Sequence, residues 1–107
     1  MPDAPDRPDI TNVDRNEISI SWSPPESDGG SRITSYIVEK RDTSSTRWTK
    51  ATKQTVTETE LTIKDLLEGN EYEFRVAAVN KAGMGPFSQP TEPKVCKPPY
   101  GKMIMHL

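Results

Sequence analysis

The residues best suited to chemistry are few here, and their spacing keeps them apart. One cysteine, Cys96, and one histidine, His106, stand in a chain of 107 residues. A nucleophilic thiol or hydroxyl needs a base within hydrogen-bond reach. His106 sits in the terminal stretch KMIMHL, outside any periodic segment, so no Ser-His or Cys-His pair can be built within a fold. A zinc site needs several Cys or His ligands, and one of each is too few. Two carboxylate pairs, Glu58 with Glu60 and Glu71 with Glu73, have the spacing that puts both side chains on one face of a strand. That face reads as solvated. The loop from Lys81 to Pro86 holds Gly83-Met84-Gly85, but no Lys-Ser/Thr follows and no helix begins, so it is a turn rather than a phosphate cradle. The sequence thus assigns no catalytic residue, no cofactor and no metal ligand. Cys96 is expected as an inert thiol at the end of the last strand, open to oxidation or glutathionylation only if exposed.

Bulk composition points the same way. The length suits one domain with one core. Hydrophobic residues make up only 32% of the chain, but they fall in short periodic clusters, which argues against disorder. The net charge is -2, from 14 basic and 16 acidic residues that interleave. No basic stripe favours nucleic acid, and no apolar run approaches the 18 residues or so of a membrane span. With a single cysteine no disulfide can form within the chain, and no Asn-x-Ser/Thr acceptor occurs. Both features suit a reducing, intracellular setting.

The elements that would position these residues are strands. Tyr72, Phe74, Val76 and Ala78 alternate with Glu73, Arg75, Ala77 and Val79. That two-residue period predicts a strand over 71 to 80 with one buried face. Turn residues fence it: Glu68-Gly69-Asn70 before, Lys81 to Pro86 after. Six further strands are expected around it. They cover 9 to 13, 17 to 23 with Ile18, Ile20 and Trp22 inward, 33 to 41 with Tyr36 and Val38 inward, and 47 to 51 around Trp48. The others cover 60 to 64, with Leu61 and Ile63 inward and Leu66 just after, and 87 to 95, broken by Pro90 and Pro93. Ten prolines and six glycines sit between the clusters, as turns between short strands require. Residues 1 to 8, MPDAPDRP, are expected as an N-terminal linker, 9 to 96 as the domain, and 97 to 107 as a C-terminal linker or added tail.

Seven short strands at this spacing make an all-β, two-sheet antiparallel sandwich. Trp22 on the second strand, and Phe74 two residues after Tyr72 where a disulfide-bonded immunoglobulin domain carries cysteine, separate the possible sandwiches. The pattern Leu66-x-x-Gly69-x-x-Tyr72-x-Phe74-x-Val76-x-Ala78 resembles the tyrosine corner of the fibronectin type III family, whose topology is immunoglobulin-like. Trp22-Ser23-Pro24-Pro25, Asp28-Gly29-Gly30-Ser31, Tyr36 to Asp42 and Phe74 to Gly83 are similar to the type III modules of the titin-like muscle proteins, a group that takes in twitchin and myosin-binding protein C. The resemblance covers residues 5 to 96.

It implies one unit of a tandem array on the thick filament of the sarcomere A-band, bearing load and contacting myosin or its associated proteins. Neighbouring immunoglobulin or type III modules of the same chain would be its first partners, with no nucleic acid and no membrane. The isolated domain is expected to be monomeric. The structural core would be Ile18, Ile20, Trp22, Tyr36, Val38, Leu61, Ile63, Leu66, Tyr72, Phe74, Val76 and Ala78. The interaction surface would draw on Trp48, Arg41, Arg75, Lys81 and Met84. Two other settings compete: an extracellular adhesion or receptor domain, and an accessory domain of a large muscle kinase polypeptide. The Arg-Gly-Asp of adhesive modules is absent, so integrin binding is not carried over.

Overall fold

The computed structural model describes residues 1 to 99, and these contain strands and no helix. The strands are β1 (Asp9–Val13), β2 (Ile18–Ser21), β3 (Ser35–Asp42), β4 (Thr49–Lys50), β5 (Glu60–Ile63), β6 (Glu71–Asn80), β7 (Gly83–Met84) and β8 (Lys94–Val95). One sheet has the order β1-β2-β5. The other has the order β4-β3-β6-β7, with β8 also paired to β6. All pairings are antiparallel.

The core lies between the sheets. From β6 it takes Tyr72, Phe74, Val76 and Ala78, and from β3 Tyr36 and Val38. Ile18, Ile20 and Ile63 face them from the opposite sheet, with Trp22 and Leu66 closing the ends. Each of the larger aliphatic side chains and Phe74 contributes about 1.5–3 kcal/mol when removed from water. Trp22 lies one residue past β2, but its N–H still reaches the Thr59 carbonyl at 2.9 Å. Its ring meets Tyr36 edge-on, with centroids 5.5 Å apart. Among the described residues its buried Nε1 is without a hydrogen-bond partner. Leu61 departs from expectation: it is half-buried at the margin of the core, on the outermost strand of its sheet. Val56 and Cys96 join the core instead.

The last strand also differs. It was expected over 87 to 95 and shrinks to β8, while β7 forms inside the stretch read as a turn. Gly83, at φ 128°, makes that tight return possible. Between β7 and β8 the prolines interrupt a regular ladder, and two hydroxyls replace it. Ser88 N donates to Val76 O at 2.8 Å, and Ser88 Oγ accepts from Val76 N at 3.0 Å. Thr91 N donates to Phe74 O at 2.8 Å, and Thr91 Oγ1 accepts from Phe74 N at 3.1 Å. The chain thus follows β6 along its length without being a continuous strand.

Both ends are fastened to loops. Residues 1 to 8, expected as a linker, lie against the domain with Pro2, Pro5 and Pro8 buried. Asp3 N donates to Ser27 O at 3.0 Å. A Cβ at Gly29 would come within 2.2 Å of the Met1 carbonyl oxygen, and one at Gly85 within 2.2 Å of the Pro2 carbonyl oxygen. At the other end of β6, Cys96 O accepts from Gly69 N at 2.8 Å and Cys96 N donates to Asn70 O at 3.0 Å. The expected C-terminal tail lies outside the described residues beyond position 99.

Candidate interaction surface

The side chains that β3 and β6 turn away from the core form an organised polar surface. The register pairs Glu39 with Arg75 and Arg41 with Glu73 directly across the two strands. Opposite charges at facing positions attract across a sheet. Arg75 Nη2 and Nε both donate to Glu39 Oε1, at 2.6 and 3.0 Å. Arg41 Nε donates to Glu73 Oε2 at 2.7 Å, and its Nη2 reaches the same oxygen.

Aromatic rings complete the arrangement. The Arg75 guanidinium carbon lies 4.2 Å from the Trp48 ring centroid and 4.2 Å from that of Phe87. Arg41 lies 5.7 Å from Trp48. The series Arg41, Trp48, Arg75, Phe87 therefore alternates cation and ring across the sheet. Each such contact contributes about 0.5–2 kcal/mol, more as water is excluded. Water is partly excluded here: Glu73 is only 8% exposed and Ala77 is fully buried on this same face. The face that alternation marks as solvated is a half-covered second layer, and Glu73 is no solvated carboxylate.

Trp48, Arg41 and Arg75, expected as surface residues, come together in this stack. Lys81 and Met84 do not join it. They belong to the β6–β7 hairpin, where Met84 is 46% exposed on a strand paired to Val79. The sequence pattern marks Phe87 only as the start of a strand. Its signal was its place beside β6, which becomes visible once the edge of that sheet is known.

The turn after β3 is set by Asp42. Its Oδ1 accepts from Ser44 N at 2.9 Å and Ser44 Oγ at 2.7 Å, and its Oδ2 accepts from Asn70 Nδ2 at 2.9 Å. The Ser44 bonds, with help from Asn70 and Arg41, hold its carboxyl below the ordinary 3.8. Burial pushes the Tyr36 hydroxyl and the Cys96 thiol up. Cys96 is fully buried, so its thiol stays protonated and out of reach of oxidants. Among the described residues no group of three or more His, Cys, Asp or Glu could hold a metal ion. Nor is any helix there long and apolar enough to cross a membrane.

The model of the family described as "Fibronectin type III domain" matches residues 3–94. That module is non-catalytic. Human cardiac-type myosin-binding protein C is 40% identical over 96 residues, covering 87% of this chain and 8% of that protein. The chain therefore spans a small fraction of that relative's length. Titin module A71 from human cardiac muscle superposes with a TM-score of 0.84 at 43% identity, covering 91% of this chain and 94% of that one. The twitchin kinase region from C. elegans superposes with a TM-score of 0.84 at 36% identity, covering 90% of this chain and 17% of that one.

Proposed function

The chain belongs to the fibronectin type III family, and from that premise we propose that it is a structural and protein-interaction module of a titin-like sarcomeric protein. In this reading it is one unit of a tandem array on the A-band thick filament, where it bears load and contacts myosin or associated proteins. The observation that carries the reading is its 43% identity to a titin module along nearly the whole of both chains.

The geometry supports the load-bearing part. The N-terminal segment is fastened beside Gly85, just beyond the Asn80 end of β6, and Cys96 is fastened beside Asn70, at the Glu71 end. Tension applied at the two ends therefore runs along the strands. It loads the β1–β2 and β6–β8 ladders in shear, so several hydrogen bonds must break together.

The chain coupled to beads and incubated with striated-muscle extract is expected to retain myosin heavy chain, detected with an antibody. Parallel beads carrying an unrelated type III domain should not retain it. Equal recovery on both would remove myosin from the reading. Its place in an accessory region of a muscle kinase polypeptide is the second reading, supported by the likeness to the twitchin kinase region. Sequencing of the flanking modules decides between the two.

A further inference from the structure

Where the two sheets part, between β4 with its following loop and β5, lies an open groove of about 650 Å³. Lys40, Lys50, Lys53 and Lys64 line it, against the single carboxylate of Asp65. Half-buried Leu61 contributes an apolar surface. Among the described residues the ion pairs are Arg41–Glu73 and Arg75–Glu39, so none of these four ammonium groups is paired. The chain as a whole carries a net charge of -2. The positive groove is thus a local concentration, built from residues far apart in sequence.

One wall of the groove is a free strand edge. β5 is the outermost strand of its sheet. The Trp22 N to Thr59 O bond makes that pair a hydrogen-bonded one, and the register continues with Ser21 opposite Glu60 and Ser19 opposite Thr62. Bonded and non-bonded pairs alternate in an antiparallel ladder. The N–H and C=O groups of Glu60 and Thr62 therefore point away from β2, along the open edge.

We propose that this groove binds an extended acidic segment of a partner protein, which adds as a strand along β5. Main-chain groups of the segment meet those of Glu60 and Thr62, and its carboxylates meet the lysines. Strand addition supplies affinity through the backbone and selects through alternate side chains. Lysines beside an exposed edge are a usual guard against unwanted strand pairing; an acidic strand turns that guard into attraction. The inference is independent of the sarcomeric setting and would survive its failure.

The test is a titration of the isotope-labelled chain, followed by amide NMR at low salt, with a short synthetic peptide alternating glutamate and valine. The amides of Glu60 and Thr62 are expected to shift and to gain protection from solvent exchange. Lys53→Glu and Lys64→Glu are each expected to weaken binding about threefold, the usual size of one exposed charge contact. Both lysines are exposed, and an unchanged melting temperature confirms that the variants fold. A lysine–valine peptide should leave the spectrum unmoved. Binding that ignores both charge reversals overturns the proposal. So does binding without protection at Glu60 and Thr62, or an equal response to a single-stranded oligonucleotide.

Discussion

Arg75 is held by Glu39 through two nitrogens and by the faces of Trp48 and Phe87. A planar guanidinium can lie between two rings and still present its edge to a carboxylate, which an ammonium cannot do. Tyr72 has a similar double attachment: its ring is buried, and its hydroxyl accepts from Leu67 N at 3.1 Å. Tyr72→Phe is expected to keep the fold and to cost about 0.5–1.5 kcal/mol, the net worth of one hydrogen bond, read as a lower urea midpoint. An unchanged midpoint would mean the corner bond adds nothing. Asp42 makes a pH-dependent contribution. Its folded pKa lies below the ordinary 3.8, so the stability it supplies is complete above that value and is lost as pH falls through the depressed one. The melting temperature of Asp42→Asn should therefore fall less steeply on acidification below about pH 4 than that of the parent chain. Parallel acid limbs would rule Asp42 out as the cause. Residues of this kind are unequally legible. Trp22, Tyr72 and Phe74 announce themselves, since large apolar side chains at two-residue spacing have nowhere to go but inward. Glu73, Ser88 and Thr91 are buried only because partners from 12 to 32 positions away meet them, and no local pattern records such partners.

β6 is the element that the alternating pattern defines best, and the strand observed has the expected bounds, Glu71–Asn80. The pattern understates it, since Ala77 is buried on the face taken to be wet. One-sided alternation reports where large apolar groups point; it is blind to a second layer made of arginine stems and rings. The course after β7 is the reverse case. Pro86, Pro90 and Pro93 advertise an interruption, yet the chain stays on β6 because Ser88 and Thr91 supply hydroxyl acceptors where a regular strand would supply carbonyls. Thr91→Val keeps the shape and removes the acceptor for Phe74 N. It is expected to cost about 1–3 kcal/mol, the penalty for a buried unsatisfied donor, and to speed exchange of the Phe74 amide relative to its β3-facing neighbours. Unaltered exchange there would show that the hydroxyl is not the acceptor. The groove beside β5 was illegible for another reason. Its lysines are spread from position 40 to position 64, and only the closing of two sheets brings them to one mouth.

At the scale of the whole molecule the two fastened ends matter most. Pulling a tandem of these modules should give discrete unfolding steps. Each would release about 300 Å, at roughly 3.3–3.6 Å per residue over the sandwich, with the short β8 pairing the first to part. A smooth extension without steps would count against shear loading. Gly85→Ala probes the other end, because the new Cβ would meet the Pro2 carbonyl at 2.2 Å. It is expected to free Asp3 N from Ser27, seen as faster amide exchange at Asp3. The sandwich itself should lose only about 1 kcal/mol, a typical single-site effect. Retained protection at Asp3 would mean the segment is held elsewhere. The seated segment has a further consequence. In a tandem of such modules this segment would form part of each joint, and it is already bound to two loops of the module it leads into. Fewer free rotations would remain on that side of each joint. Where this segment is the whole link, the end-to-end length of a row would grow nearly in proportion to the number of modules, as in a rod, and not with its square root, as in a flexible chain.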